Sequence, residues 1–330
     1  MRQTSHRRYP VADETDSGEV RRGVGRVAAE LGAGQYAQGH AELVATELAT
    51  NLVRHAKPGG WMLIRPVPPD EVELIAVDHG PGITDLPAAL SGRSTTPGGL
   101  GCGLAAVRRA STRFDVYSEP GHGTCVLSVV NLAEPRPAAD RRTWGGISIG
   151  VTEVCGDGWA VAELDHGVAV AVVDGLGHGP KASLATDAAL TAFAAGPADL
   201  DRLVGRANDA MRQTRGGALT ACLIDRDRQE LRYFGIGNVN GRVLSGSGDR
   251  GLVCTVGTLG LKMAPPKVQL MTAPWPADGV LVVWTDGLRS RPDLAALSGL
   301  LSHDPGLVAA VLHRDFARER DDATVVVVRP

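Results

Sequence analysis

The sequence predicts an α/β two-domain chain, with a helix-first sandwich followed by a domain of packed sheets flanked by helices. Three observations predict this. The 330 residues are enough for two ordinary hydrophobic cores. The stretch NLAEPRPAADRRT, from Asn131 to Thr143, is rich in Pro, Ala and charge and interrupts the apolar periodicity on both sides. Across it the pattern changes from helices followed by strands to many strands with few helices. The expected domains are therefore residues 1–135 and 144–330, joined by a linker at 136–143.

In the first half, apolar residues recur at helical spacing over Ser17 to Leu31 and His40 to His55. Strand patterns follow at Trp61 to Val67, Val72 to Asp78, Phe114 to Ser118 and Thr124 to Val130. In the second half, strands are expected at Gly145 to Glu153, Trp159 to Leu164, Val168 to Asp174, Leu219 to Asp225, Glu230 to Ile236, Val268 to Thr272, Val280 to Asp286 and Thr324 to Arg329. Helices are expected at Pro180 to Ala194, Asp199 to Arg212 and Gly306 to Phe316. No repeat of fixed period and no low-complexity tract interrupts them.

Composition narrows the function classes. With 43% hydrophobic and 22% charged residues the chain reads as globular, not disordered or fibrous. A formal net charge of -3 leaves no basic surplus for nucleic acid. The five cysteines, Cys102, Cys125, Cys155, Cys222 and Cys254, are odd in number and never spaced as CxxC, which fits a reducing compartment. The basic start MRQTSHRRYP is followed by no apolar stretch, and runs such as GVAVAVVDG are strand-length, so neither a signal peptide nor a membrane anchor is read. The expectation is a soluble cytoplasmic protein.

The first half carries four short motifs in order. Glu47 and Asn51 are one helical turn apart and share a face with Leu43 and His55. Alone, that pair reads as a solvated polar stripe. The next strand runs into DHGPGI, where Asp78 is followed by Gly80 and Gly82, residues that let backbone approach a ligand closely. Then TTPGGLGCGL places Gly98, Gly99, Gly101 and Gly103 in a loop leading into a helix, and a helix N-terminus offers free N–H groups to phosphate. Finally GHGT puts Thr124 at the turn between the last two strands. Each piece is weak by itself, and their order is specific.

That order resembles the Bergerat-type (GHKL) ATP fold of histidine kinases, gyrase and MutL. The text ELATNLVRHA and STTPGGLGCGLAAVRR is similar to the small anti-sigma and stressosome switch kinases, over nearly all of residues 15–130. No phospho-accepting histidine helix precedes it, and His40 and His55 are read as structural or solvated. The resemblance implies ATP with Mg²⁺ as cofactor and assigns roles. Asn51 would complete the Mg²⁺ shell, Glu47 would accept the proton of a Ser or Thr hydroxyl, and Asp78 would accept a hydrogen bond from the adenine amino group. Gly80 and Gly82 would line the base pocket, Gly98 to Gly103 would close over the phosphates, and Thr124 would support the adenine contact. Positioning and charge neutralisation are what phosphoryl transfer requires. Arg54, Arg108 and Arg109 are nearby cations without an assigned role.

In the second half four aspartates stand at strand ends: Asp157 in CGDGW, Asp174 in VVDGLGHG, Asp286 in WTDGL and Asp321 in RDDATVVVV. Any one Asp-Gly reads as a turn. As a set, acids at the ends of apolar strands are costly unless a cation neutralises them. The order GD, DGLGHG, TDG, DDATVVV resembles the SpoIIE and RsbX branch of the PPM-type Ser/Thr phosphatases, over about residues 144–330, and implies an α-β-β-α sandwich. It also implies two Mn²⁺ or Mg²⁺ ions holding a water that attacks phosphorus directly. Asp174 would bridge them with help from the Gly175 carbonyl, Asp157 would bind one, and Asp286 and Asp321 would complete the other. Asp321 and Asp322 both stand where many relatives outside this branch have Asp-Asn, so either acid is open as the ligand, with the first matching better. His178 stays outside the catalytic set.

The functional expectation is a bifunctional switch, an ATP-dependent Ser/Thr protein kinase joined to a metal-dependent phosphoserine or phosphothreonine phosphatase. Its partner, implied by the resemblance alone, is a regulatory protein phosphorylated on Ser or Thr, an anti-sigma antagonist or stressosome-type domain. Nucleic acid and membrane are not expected as partners. The alternative is that the first half binds ATP and a partner and regulates the phosphatase without transferring phosphate.

Overall fold

The computed structural model describes residues 3–92, 103–133, 142–289 and 299–329. It divides into two compact units, His6–Arg142, and Thr143–Pro330 together with Met1–Ser5.

The first unit runs β1 (Arg7–Val11), α1 (Glu14–Glu30), α2 (Gln35–His55), β2 (Gly60–Val67), β3 (Glu71–Asp78), α3 (Leu86–Ser91), α4 (Gly103–Ala110), β4 (Arg113–Glu119), β5 (Gly123–Asn131). Its strands form one antiparallel sheet in the order β1-β2-β3-β5-β4. Asp13 starts α1 through a capping box with Asp16, which satisfies N–H groups that a helix end otherwise leaves bare. On α2 the spacing of Val44, Ala45, Leu48, Ala49 and Leu52 buries one stripe against Met62, Ile64, Leu74 and Ala76 of the sheet. Truncating Leu48 to Ala there is expected to cost about 2–5 kcal/mol. Glu47 and Asn51 fall off that stripe and are half-buried.

The strand β1 is absent from the sequence expectation because RRYPV mixes charge with a proline. It lies at the sheet edge, paired only with β2, and an edge is where a strand tolerates Pro10.

The second unit contains β6 (Trp144–Ile149), β7 (Asp157–Leu164), β8 (Gly167–Gly175), α5 (Pro180–Ala194), α6 (Leu200–Met211), β9 (Gly217–Asp225), β10 (Glu230–Ile236), β11 (Asn240–Ser245), β12 (Gly248–Gly251), β13 (Met271–Pro274), β14 (Val280–Trp284), α7 (Pro305–Phe316) and β15 (Ala323–Val328). Two five-stranded antiparallel sheets result, β13-β10-β9-β8-β7 and β12-β11-β14-β15-β6. The layer between them is filled by residues such as Trp159, Val161, Val170, Val172, Leu281, Val283 and Val326. A second core sits between the other face of the first sheet and α5 and α6, with Ala169, Ala171, Val173, Ala185, Ala189 and Phe193. The helix α7 packs on β6 and β15 of the second sheet. The order of layers is helix, sheet, sheet, helix.

Buried on both faces, β8 reads as an unbroken apolar run, with Val168, Val170 and Val172 toward the partner sheet and Ala169, Ala171 and Val173 toward the helices. The same alternation sends Asp174 to the inter-sheet side, and in β7 it sends Asp157 there with Trp159 and Val161. Three expectations shift. The strand expected over Gly145 to Glu153 ends at Ile149, the one at Val268 to Thr272 forms at Met271–Pro274, and β11 and β12 lie in NGRVLSGSGDRG, whose glycines and polar residues conceal the strand pattern.

Candidate functional site

In the first unit, Gly103 opens α4 directly above the Glu47 and Asn51 side chains. A Cβ at Gly103 would lie 3.3 Å from Asn51 Oδ1 and 3.4 Å from Glu47 Oε2. That approach leaves room for backbone and little else. Asn51 Nδ2 is buried and has no hydrogen-bond partner among the described residues, although buried amides are normally satisfied. An orphaned polar atom beside a carboxylate is what a site awaiting a polar ligand leaves behind.

Asp78 ends β3 and is buried. Its Oδ1 accepts from the Gly80 N–H (2.7 Å) and the Thr124 N–H (3.1 Å), so the DHGPG turn and the GHGT turn are tied to one carboxylate. The Thr124 hydroxyl pairs with Ser118 Oγ (2.9 Å), whose oxygen also accepts from Ile83 N–H (2.7 Å). Gly82 turns against the Glu119 carbonyl with φ +73°. Gly80, Gly82 and Thr124 are thus gathered around Asp78. Gly98, Gly99 and Gly101 lie outside the described residues.

In the second unit, Asp157 and Asp174 are direct cross-strand partners on β7 and β8. Like charges directly opposite each other destabilise a sheet. Asp157 is buried, and its Oδ2 accepts from Thr285 Oγ1 (2.6 Å). Burial first, and then the charge of Asp174, push its carboxyl well above the usual range, against the Thr285 hydrogen bond. For Asp174, burial and the Asp286 carboxyl beside it raise the value to about 7, against a hydrogen bond from Asn238. Asp286 Oδ2 accepts from Asn238 Nδ2 (2.6 Å). Asp321 is raised by burial and by Asp286. Asp157, Asp174 and Asp321 each feel the Asp286 carboxyl at one end of the inter-sheet layer, where desolvation and repulsion between neighbouring carboxyls resist the ionisation of these three.

Asp322 does something else. Its Oδ1 accepts from Val151 N–H (2.7 Å) and its Oδ2 from Gly156 N–H (2.6 Å), so both oxygens hold the β6–β7 loop. It is buried, whereas Asp321 is exposed and keeps its carboxylate near Asp286. Gly175 N–H donates to the Gly156 carbonyl (3.3 Å), which also accepts from Thr186 Oγ1. Among the described residues no three His, Cys, Asp or Glu side chains converge closely enough to hold an ion as they stand. The expected donors, the carboxylates and the Gly175 carbonyl, are nonetheless all hard oxygen ligands suited to Mg²⁺ or Mn²⁺.

A family model for Stage II sporulation protein E matches residues 164–330, half of the chain. The chain belongs to the SpoIIE family. In front of this PPM-type domain, a model for the histidine kinase-like ATPase domain matches residues 11–129. The serine/threonine-protein kinase RsbT of Bacillus subtilis (strain 168) is 35% identical over 105 residues, which are 31% of this chain and 79% of RsbT. The phosphoserine phosphatase RsbX of the same organism is 29% identical over 143 residues, 43% of this chain and 70% of RsbX. A solved structure of the bacterial stressosome, described as a modular system adapted to control secondary messenger signaling, aligns over 57% of this chain and 98% of its own, with TM-score 0.53 and 23% identity. That likeness concerns the fold.

Asp174, Gly175, Asp286 and Asp321 fall inside the SpoIIE-family match, and Asp157 precedes it. Two residues that face the acids were not singled out from the sequence. Thr285, adjacent to Asp286 in WTDGL, could have been found by carrying the β14 alternation one step further, to the side of Leu281 and Val283. Asn238, in GIGNVNG, had only its place after a strand end as a signal.

Proposed function

We propose that this SpoIIE-family protein is a bifunctional regulator of a partner-switching pathway. Its first domain transfers phosphate from Mg-ATP to a Ser or Thr hydroxyl, and its second removes phosphate from Ser or Thr with two Mn²⁺ or Mg²⁺ ions. The observation that carries the phosphatase half is the cross-strand Asp157–Asp174 pair with Asp286 beside it, an arrangement whose charges call for a divalent cation.

In the second domain Asp174, assisted by the Gly175 carbonyl, together with Asp157, Asp286 and Asp321 would hold the ions. When bound, such a pair supplies the activated water and the charge stabilisation that phosphate ester hydrolysis needs. Asn238 orients Asp286 and Thr285 orients Asp157, each by one hydrogen bond. Asp322 shapes the loop that carries Gly156, leaving Asp321 as the ligand of the two.

In the first domain Asn51 would hold Mg²⁺ through its amide oxygen and Glu47 would take the hydroxyl proton as general base. Asp78, whose Oδ1 accepts from Gly80 and Thr124, would accept a hydrogen bond from an adenine amino group. Gly80, Gly82 and Thr124 frame that pocket, and Gly98, Gly99, Gly101 and Gly103 would cover the phosphates. The partner is a regulatory protein carrying the phosphorylated Ser or Thr, in a cytoplasmic setting.

The test is to incubate the full chain with labelled ATP, Mg²⁺ and candidate antagonist proteins, with and without Mn²⁺. Glu47→Gln is expected to lower a partner's phosphorylated fraction and Asp286→Ala to raise it, read on phosphate-affinity gels. If no protein is labelled while nucleotide binds, the first domain is an ATP-binding partner module that regulates the phosphatase without turnover. If Mn²⁺ supports no dephosphorylation of any phosphoprotein, the phosphatase reading fails.

A further inference from the structure

We propose that Arg215 is the residue that captures the phosphate of the substrate at the four-acid site. This rests on the phosphatase reading above and adds a residue to it. A phosphate monoester is a dianion, and the acids that would hold cations cannot themselves attract it. A cation from the protein, close to the site and not already neutralised, completes the electrostatics.

Arg215 meets those conditions. It immediately precedes Gly216 and β9, and the first residues of β9 pair with the end of β8, Gly217 opposite Gly175 and Ala218 opposite Asp174. The Gly216 carbonyl accepts from the Leu176 N–H (2.9 Å), which ties the Arg215 turn to the loop after Asp174. The guanidinium lies over that loop, because a Cβ at Gly177 would be 2.9 Å from Arg215 Nη1. Gly177 also has φ +88°, so a side chain is disfavoured there for both reasons. Arg215 is exposed and has no hydrogen bond or carboxylate partner among the described residues. Arg318, by contrast, already offsets the charge of Asp321.

An unpaired guanidinium is suited to a phosphate because its planar fork donates two parallel N–H bonds to two oxygens. The surroundings fit a phosphorylated protein segment over a small ester. Leu176 and Leu261 are exposed apolar side chains beside the same turn, and Leu261 Cδ2 lies 3.4 Å from a Cβ built at Gly216.

Calorimetric titration of inorganic phosphate into the Mn²⁺-loaded full chain tests the binding directly. Arg215→Ala is expected to weaken phosphate at least about tenfold, with Arg215→Lys restoring part of it, while the Mn²⁺-induced rise in melting temperature stays as in the wild type. In kinetics, Arg215→Ala is expected to raise KM for a phosphoserine peptide and for p-nitrophenyl phosphate alike. Losing Leu176 and Leu261 to Ala should raise KM for the peptide alone. Phosphate affinity that is unchanged in Arg215→Ala, or equal in Ala and Lys variants, overturns the assignment. So does a wild type that binds no phosphate. A wild type that hydrolyses neither substrate refutes the phosphatase reading instead, and the calorimetric comparison still decides Arg215.

Discussion

Asp157 and Asp174 sit opposite each other across the β7–β8 ladder, two carboxylates in a position where sheets normally place opposite charges or apolar pairs. The arrangement costs stability in the metal-free protein and favours a divalent cation. Asp174→Asn is therefore expected to stabilise the metal-free second domain, by up to about 1 kcal/mol. The same substitution should abolish the Mn²⁺-dependent rise in melting temperature and the hydrolysis of phosphoserine. Differential scanning calorimetry with EDTA and with Mn²⁺ reads both effects. A variant less stable without metal than the wild type would contradict the like-charge account.

The neighbouring acids Asp321 and Asp322 separate by what they touch. Asp322 accepts two backbone N–H bonds, from Val151 and from buried Gly156, so Asp322→Ala takes the acceptor from both and is expected to cost about 2–4 kcal/mol. Asp321→Ala removes an exposed side chain and should change stability by less than about 0.5 kcal/mol. It should nonetheless weaken Mn²⁺ in activation curves. Urea denaturation and metal titration on the pair give the comparison. The reverse outcome would move the ligand to Asp322.

At the nucleotide site, Asp78→Asn keeps an oxygen for the Gly80 and Thr124 N–H groups, so the fold is expected to hold while the amide loses the second acceptor. ADP affinity should fall about tenfold or more by calorimetry. Glu47→Gln should leave that affinity within about threefold and lower transfer by ~10² to 10⁴. Wild-type affinity in Asp78→Asn would place the adenine elsewhere.

Much of this was legible in the sequence because the motifs end regular strands. Apolar runs such as GVAVAVVDG announce both the strand and the acid at its end, and α5, α6 and α7 announce themselves by period and by Pro180, Asp199 and Asp304 at their starts. What stayed hidden depends on pairing across the chain. Asp321 and Asp322 are adjacent acids that the motif leaves open, with Asp321 matching better, and what separates their contacts is the loop 151–156 folding back onto Asp322. Arg215 is one arginine among many until β9 brings its turn beside the loop after Asp174. The buried Glu73 is likewise unremarkable in EVELIAVD, because its three cationic partners come from β2, β4 and the segment before β1.

That cluster sets an acid limit for the first domain. Glu73 is buried and bonded to Arg65 Nε (2.6 Å), Arg113 (2.8 Å) and His6 Nε2 (3.1 Å). Burial pushes its carboxyl up, and Arg65, His6 and Arg113 together hold it well below the usual range. A carboxyl whose folded value is depressed stabilises the fold fully above its unfolded value, near 4.5, and loses that contribution as the pH falls toward the folded value. Hydrogen exchange of the β2 and β3 amides should therefore show protection that declines below about pH 4.5. Glu73→Gln takes the shared carboxylate from buried Arg65, from half-buried Arg113 and from His6, and is expected to cost about 3–5 kcal/mol at pH 7. Its protection should vary less between pH 6 and pH 4 than that of the wild type, since the titrating group is gone. Parallel decline in both proteins would assign the acid sensitivity to other carboxylates.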